Sequence, residues 1–162
     1  NYTKILELII EPYLKLNQKI FNSKPSNQVV FDCTRNLKKA NNVASHLVNN
    51  WYSAYLISRA NNAPFIAVLQ PYVDPYGFNY KNLTNNSYLE EIKQYEKVYS
   101  LIKKKIKERC ISDNAFCSSF FDGSKWIDSN SNFFFDTNHL IEEGNEVIAE
   151  NIKNLVEEKF KF

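Results

Sequence analysis

Asp136 and His139 are the residues in this chain best spaced to do chemistry. The aromatic run Phe133-Phe134-Phe135 stops at Asp136, His139 follows three residues later, and an amphipathic segment starts at once. A carboxylate so placed can hold an imidazole by one nitrogen and leave the other free to take a proton. That is the orienting half of a nucleophile–base–acid triad. The other half, an activated serine in a tight Gly-containing turn, is not visible in these residues. The competing reading of the pair is a helix-capping carboxylate beside a surface histidine.

Other reactive side chains are few. His46, the second of two histidines, sits mid-helix by its surroundings and reads as structural or surface-facing. With no Cys or Glu at ligand spacing, the two histidines give no support for a metal site, and no cofactor is expected. Gln70 and Tyr72 leave an apolar strand at its C-terminal end, where open α/β sheets bind ligands, and are candidate substrate contacts. Asp74, next to Pro75, reads as a turn residue. Ser118, Ser119 and Ser124 lie close in sequence to the Asp–His pair, but no strand-to-helix elbow surrounds Ser124, so none is assigned as nucleophile.

The elements that must position these groups alternate. Apolar residues in 2–21 follow helical spacing with a break or kink at Pro12, and 29–31 could be a short strand. Residues 36–61 form a long amphipathic helix through Leu37, Ala40, Val43, Ala44, Leu47, Trp51, Ala54 and Tyr55. The continuous apolar run 65–69 then reads as a strand buried on both faces, as in a helix-covered parallel sheet. A Tyr-, Pro- and Asn-rich loop, 72–86, precedes a helix over 88–109. Residues 116–121 read as strand-like, Asp122-Gly123 turns, and a last helix covers 141–160. Helix–strand alternation predicts an α/β layered fold, with 1–162 as a single domain.

Composition narrows the class further. Hydrophobic residues make up 44% of the 162, enough for a sizeable core. The net charge of +2, from 20 basic and 18 acidic residues, leaves no footprint for nucleic acid. The basic run Lys103-Lys104-Lys105 lies on a helix that also carries Glu90, Glu91, Glu96 and Glu108, and reads as a solvated helix face. No stretch is long and apolar enough to span a bilayer. Three cysteines without Cys-x-x-Cys spacing read as reduced, mostly buried thiols, Cys110 and Cys117 pairing only if the chain between them doubles back. Reduced thiols favour a reducing compartment such as the cytoplasm. The sequons at Asn82 and Asn85 are expected by chance in so Asn-rich a chain. Three glycines and no methionine point to a truncated chain or a fragment.

The block Asp136-Thr137-Asn138-His139-Leu140, with Gly144-Asn145 and Ile148-Ala149, closely resembles the last conserved block of the SGNH (GDSL-like) hydrolases. The strand ending in Leu69-Gln70-Pro71, the helix after it and Phe120-Phe121-Asp122-Gly123 suit the same family's C-terminal half. The resemblance implies a three-layer α/β/α, flavodoxin-like fold, here lacking its N-terminal strands. It implies a serine esterase in which His139 is general base and then general acid, and Asp136 fixes its tautomer. The Gly-Asp-Ser block, the oxyanion-hole glycine block and the Gly-x-Asn-Asp block are absent, so the serine is expected upstream of Asn1. Expected substrates are small-molecule or carbohydrate esters, with Tyr72, Tyr76, Phe78 and Tyr80 as an aromatic wall that favours carbohydrate O-acetyl esters. An inactive binding or scaffold relative, and an O-acyltransferase using the same residues, are the alternatives.

Overall fold

The computed structural model of the chain describes residues 32–73, 86–128 and 132–160, within a compact unit that runs from Phe31 to Phe162. The expected helix in 2–21, the short strand at 29–31 and most of the 72–86 loop, including Asp74, Tyr76, Phe78 and Tyr80, lie outside the described residues. In chain order the elements are α1 (Leu37–Ala60), β1 (Ala67–Leu69), α2 (Asn86–Ser112), α3 (Asn114–Cys117), β2 (Phe120–Asp122) and α4 (Glu142–Phe160).

α1 starts where Asn36 caps it, its side-chain oxygen accepting from the Lys39 N–H at 3.0 Å. It stops at Asn61, after which Asn62 takes the left-handed conformation (φ 52°) that asparagine tolerates better than most residues. The helix buries Ala40, Ala44, Val48 and Tyr55, while α2 buries Ile92, Tyr99, Ile102 and Ile106. Ala44 and Val48 of α1 and Tyr99, Ile102 and Ile106 of α2 belong to one buried cluster. Phe116, fully buried, closes the same core from α3 and meets the rings of Tyr52 and Tyr55.

β1 and β2 pair in parallel with Ala67 opposite Phe120, Val68 opposite Phe121 and Leu69 opposite Asp122. Successive strand residues point to opposite faces. Phe120 lies 5.7 Å from the Trp51 ring of α1, whereas Phe121 lies beneath Lys159 of α4. The described part of the chain is therefore mixed α/β, rich in helix, around a small parallel strand pair.

Three expectations need correction. The strand expected over 65–69 is confined to Ala67–Leu69, because β2 offers only three residues to pair with it. The strand-like stretch 116–121 begins as helix. Asp113 caps α3 by accepting from the Phe116 N–H at 3.1 Å, and only 120–122 is extended. Cys110 and Cys117 are joined in a disulfide, their Cα atoms 5.0 Å apart, rather than reduced. The chain does double back between them, at Ser112-Asp113, where α2 ends and α3 begins. That bond removes the thiol argument for a reducing compartment; Cys33 remains a free, buried thiol. No helix among the described residues is long and apolar enough to cross a membrane.

Candidate active site

The Asp–His pair sits in a tight turn between two short extended pieces. Phe134 and Leu140 form an isolated antiparallel bridge, and the Phe135 N–H donates to the His139 carbonyl at 2.7 Å. The Ile141 N–H donates to Phe133 O at 2.9 Å, which leads the chain directly into α4. Gly144, in the first turn of that helix, lies under the incoming strand. A Cβ there would stand 2.8 Å from Phe133 O and 3.0 Å from Phe133 Cβ. The Gly-Asn step of the sequence thus has a physical reason: only hydrogen fits where α4 meets the turn.

Within the turn the Asp136 carboxylate divides its two oxygens. Oδ1 accepts from the backbone N–H groups of Asn138 (3.0 Å) and His139 (2.8 Å). Oδ2 faces His139 Nδ1 at 2.7 Å. Burial pulls the carboxyl upward, but bonds from the Asn138 N–H, the His139 ring and the His139 N–H, with the attraction of His139 itself, hold it below its ordinary value of 3.8. An ionised carboxylate can only accept, so Nδ1 carries the proton of this contact, and in the neutral imidazole Nε2 presents its lone pair. The His139 side chain is 69% exposed, and Nε2 has no partner among the described residues. Asp136 does not cap α4, which starts six residues later; it caps its own turn and orients the imidazole.

This turn is tied to the exit from β1. The Val73 N–H donates to Thr137 O at 3.0 Å, and Thr137 is 1% exposed. Gln70, the first residue beyond β1, leaves the strand at that same end; it is exposed and makes no side-chain hydrogen bond among the described residues. Tyr72 is half-buried, stacked on Tyr95 (5.7 Å, 25°) and edge-on to Tyr99 (4.8 Å, 73°). Of the expected aromatic wall, only Tyr72 falls among the described residues, and its ring packs on α2. Phe135, 80% exposed, is the large apolar side chain that stands in solvent beside the dyad.

The serines near the pair in sequence are engaged elsewhere. Ser118 and Ser119 donate to Ala115 O. Ser124 is buried, donating to Asp122 Oδ1 at 2.6 Å and accepting from Lys103 Nζ at 2.9 Å. Lys103 also pairs with Asp122 Oδ2 at 2.8 Å, so it leaves the solvated face expected of the basic run and joins α2 to the end of β2. Burial raises the Asp122 carboxyl, but bonds from Lys103 and Ser124 carry it net below its ordinary value. Gly123 beside it allows Leu69 O to pass at 2.9 Å from where a Cβ would stand.

His46 is exposed on α1 and has no hydrogen-bond partner among the described residues. No group of His, Cys, Asp and Glu among the described residues could hold a metal ion. Thr137, whose carbonyl ties the turn to the exit of β1, was not among the expected site residues. Its signal in the sequence was its place between Asp136 and His139. Comparisons with protein families, curated proteins and solved structures found no match.

Proposed function

We propose that the protein is a serine esterase of the SGNH type, acting on O-acyl esters, carbohydrate O-acetyl esters among them. The observation that carries the reading is the 2.7 Å contact from Asp136 Oδ2 to His139 Nδ1, with Nε2 turned to solvent. The parallel strand pair with the dyad turn tied to the exit of β1 is consistent with the C-terminal part of a three-layer α/β/α sheet fold. The nucleophile is a serine outside the described residues.

Nε2 of His139 takes the serine proton as the hydroxyl oxygen attacks the ester carbonyl. The tetrahedral intermediate collapses, the alcohol leaves with that proton, and an acyl-serine remains. Water, deprotonated by the same nitrogen, attacks the acyl-serine; the nitrogen returns that proton to the serine oxygen as the acyl–serine bond breaks and the acid leaves. Asp136 keeps Nδ1 protonated and stabilises the imidazolium in both steps. General acid–base action of this kind contributes about 10²- to 10⁴-fold in rate.

A second reading, an inactive relative that binds without turnover, is favoured by one observation: no serine among the described residues reaches His139. Labelling of the full-length protein with a fluorophosphonate probe separates the two. The esterase is labelled at one serine, and His139→Ala loses both labelling and hydrolysis of an acetyl phenol ester. Absence of label on the unmodified protein supports the scaffold.

A further inference from the structure

A polar cavity of about 240 Å³ opens between α1 and α2, with Ser45, Val48 and Asn49 on one wall and Lys105, Glu108 and Arg109 on the other. Residues 45 and 49, like 105 and 109, are one helical turn apart and so share a face. Of the basic run, Lys103 turns to Asp122 and Ser124, while Lys105 turns to this cavity.

The lining is rich in donors that nothing uses. Arg109 is held from two sides: its guanidinium lies 4.4 Å from the Tyr52 ring centroid and donates to Asn49 Oδ1 at 3.1 Å. Tyr52 is fixed in turn, its hydroxyl donating to Asp113 Oδ2 at 3.2 Å. Most of the guanidinium N–H groups are left over. No carboxylate pairs with Arg109 or Lys105 among the described residues. Asn49 keeps its NH₂ to donate, and the Ser45 hydroxyl has no partner among the described residues. Glu108 is the single carboxylate of the lining, and its Oε1 lies 3.9 Å from Lys104 Nζ, a cation outside the cavity.

An arginine stacked on a tyrosine has already given up the rotamer freedom that binding would otherwise remove. Lys105 stands one turn away on the same helix, where like charges repel, and a bound anion would relieve both.

We infer that this cavity binds a phosphoryl group carried by a small molecule. Arg109 takes two of its oxygens side by side, Lys105 neutralises its charge, and Ser45 and Asn49 donate from the facing helix. Donors on two helices suit a tetrahedral group with three free oxygens better than a flat carboxylate with two. The volume falls just below the roughly 300–1,000 Å³ of drug-sized sites, which admits a phosphoryl group with a small body behind it. The site is independent of the esterase reading, since no residue of the dyad turn lines it.

The test follows the Arg109 Nε–H and the Asn49 side-chain amide by NMR in the full-length protein at low salt. Inorganic phosphate should shift both resonances saturably, glucose 6-phosphate should bind more tightly than phosphate, acetate far more weakly, and glucose not at all. Arg109→Lys keeps the charge but loses the fork and the ring stack, and should weaken glucose 6-phosphate binding about 10-fold or more. Lys105→Ala should weaken it about 2- to 5-fold, and Glu108→Gln, which removes the opposing charge, should tighten it by about the same factor. Lys107→Ala, from the same basic stretch but exposed and outside the cavity, should leave it unchanged. Both Lys105→Ala and Glu108→Gln alter side chains outside the buried core, so they carry the test even if Arg109→Lys disturbs the helix pair. Absence of a saturable shift with glucose 6-phosphate overturns the inference. So does an equal loss in Lys107→Ala and Lys105→Ala, which would mark a general basic face, or acetate binding as tightly as phosphate. His139→Ala should leave the titration unaltered, so failure of the esterase reading and failure of this site are read separately.

Discussion

Asp136 serves two partners with one carboxylate, and its two oxygens have separable consequences. Oδ1 shapes the turn through two backbone N–H groups, while Oδ2 orients His139. In Asp136→Asn the amide oxygen can still accept from the backbone. Its NH₂ then faces Nδ1 and favours the wrong tautomer. On the proposed esterase reading, that variant should keep the fold, lose much of the ester hydrolysis and still exceed His139→Ala, which has no proton relay at all. Steady-state rates on an acetyl phenol ester rank them, with His46→Ala near the unmodified rate because its ring makes no described contact. Acid provides a second handle. Asp136 titrates below 3.8 in the folded chain, so its contribution to the turn is complete above that value. The contribution is lost as pH falls through the lowered pKa. A carboxyl carbon titration by NMR should therefore place the Asp136 midpoint below that of an ordinary aspartate. A midpoint at or above 3.8 would mean the bonds to Asn138 and His139 do not persist in solution.

α4 owes its position to Gly144 rather than to helix propensity. In an unconstrained helix interior, alanine in place of glycine stabilises by about 0.5–1 kcal/mol. Here the new methyl would meet the Phe133 carbonyl oxygen, a backbone atom that cannot swing aside. Gly144→Ala should consequently lower the melting temperature instead of raising it, and loosen the dyad turn that Phe133 enters. Calorimetry together with the Nδ1–H resonance of His139 reads both effects. Glu142 and Glu143 in the first turn and Lys159 in the last suit the helix dipole, so the element itself is not in question. The joint between α2 and α3 relies on a different device. The disulfide closes a loop of seven residues' separation between Cys110 and Cys117. Chain entropy assigns such a loop about 2–3 kcal/mol. The double variant Cys110→Ser/Cys117→Ser should lose roughly that stability in a denaturant melt, and a reductant should have no further effect on it.

For the molecule as a whole, the decisive packing is the junction of α1, α2, α3 and β1 around Phe116. That ring is fully buried and touches Tyr52 and Tyr55 of α1. Leu69 of β1 and Ile102 and Ile106 of α2 belong to the same cluster. Phe116→Ala should cost about 3–5 kcal/mol in a urea titration, a large part of a typical domain's stability. A loss below about 1 kcal/mol would mean that the core is not built around α3.

Much of this was legible in the residues because it is local. Three- and four-residue apolar steps produced α1, α2 and α4 to within a few residues, since a helix hydrogen-bonds only to itself. The Asp136–His139 contact was legible for the same reason: both partners lie in one turn and need nothing from elsewhere to meet. Strand limits were not, because β1 extends only as far as β2, more than fifty positions later, gives it partners. An apolar run such as 116–121 carries no period that separates strand from helix. The Asp113 cap decided for helix at its start. The disulfide, the Lys103–Asp122–Ser124 link and the backbone bond from Val73 to Thr137 depend on which helix face meets which strand end. Residue types can supply the hydrogen-bonding groups and the spacing. Only long-range packing, which sets distance and direction between segments far apart in the chain, decides which of those groups meet.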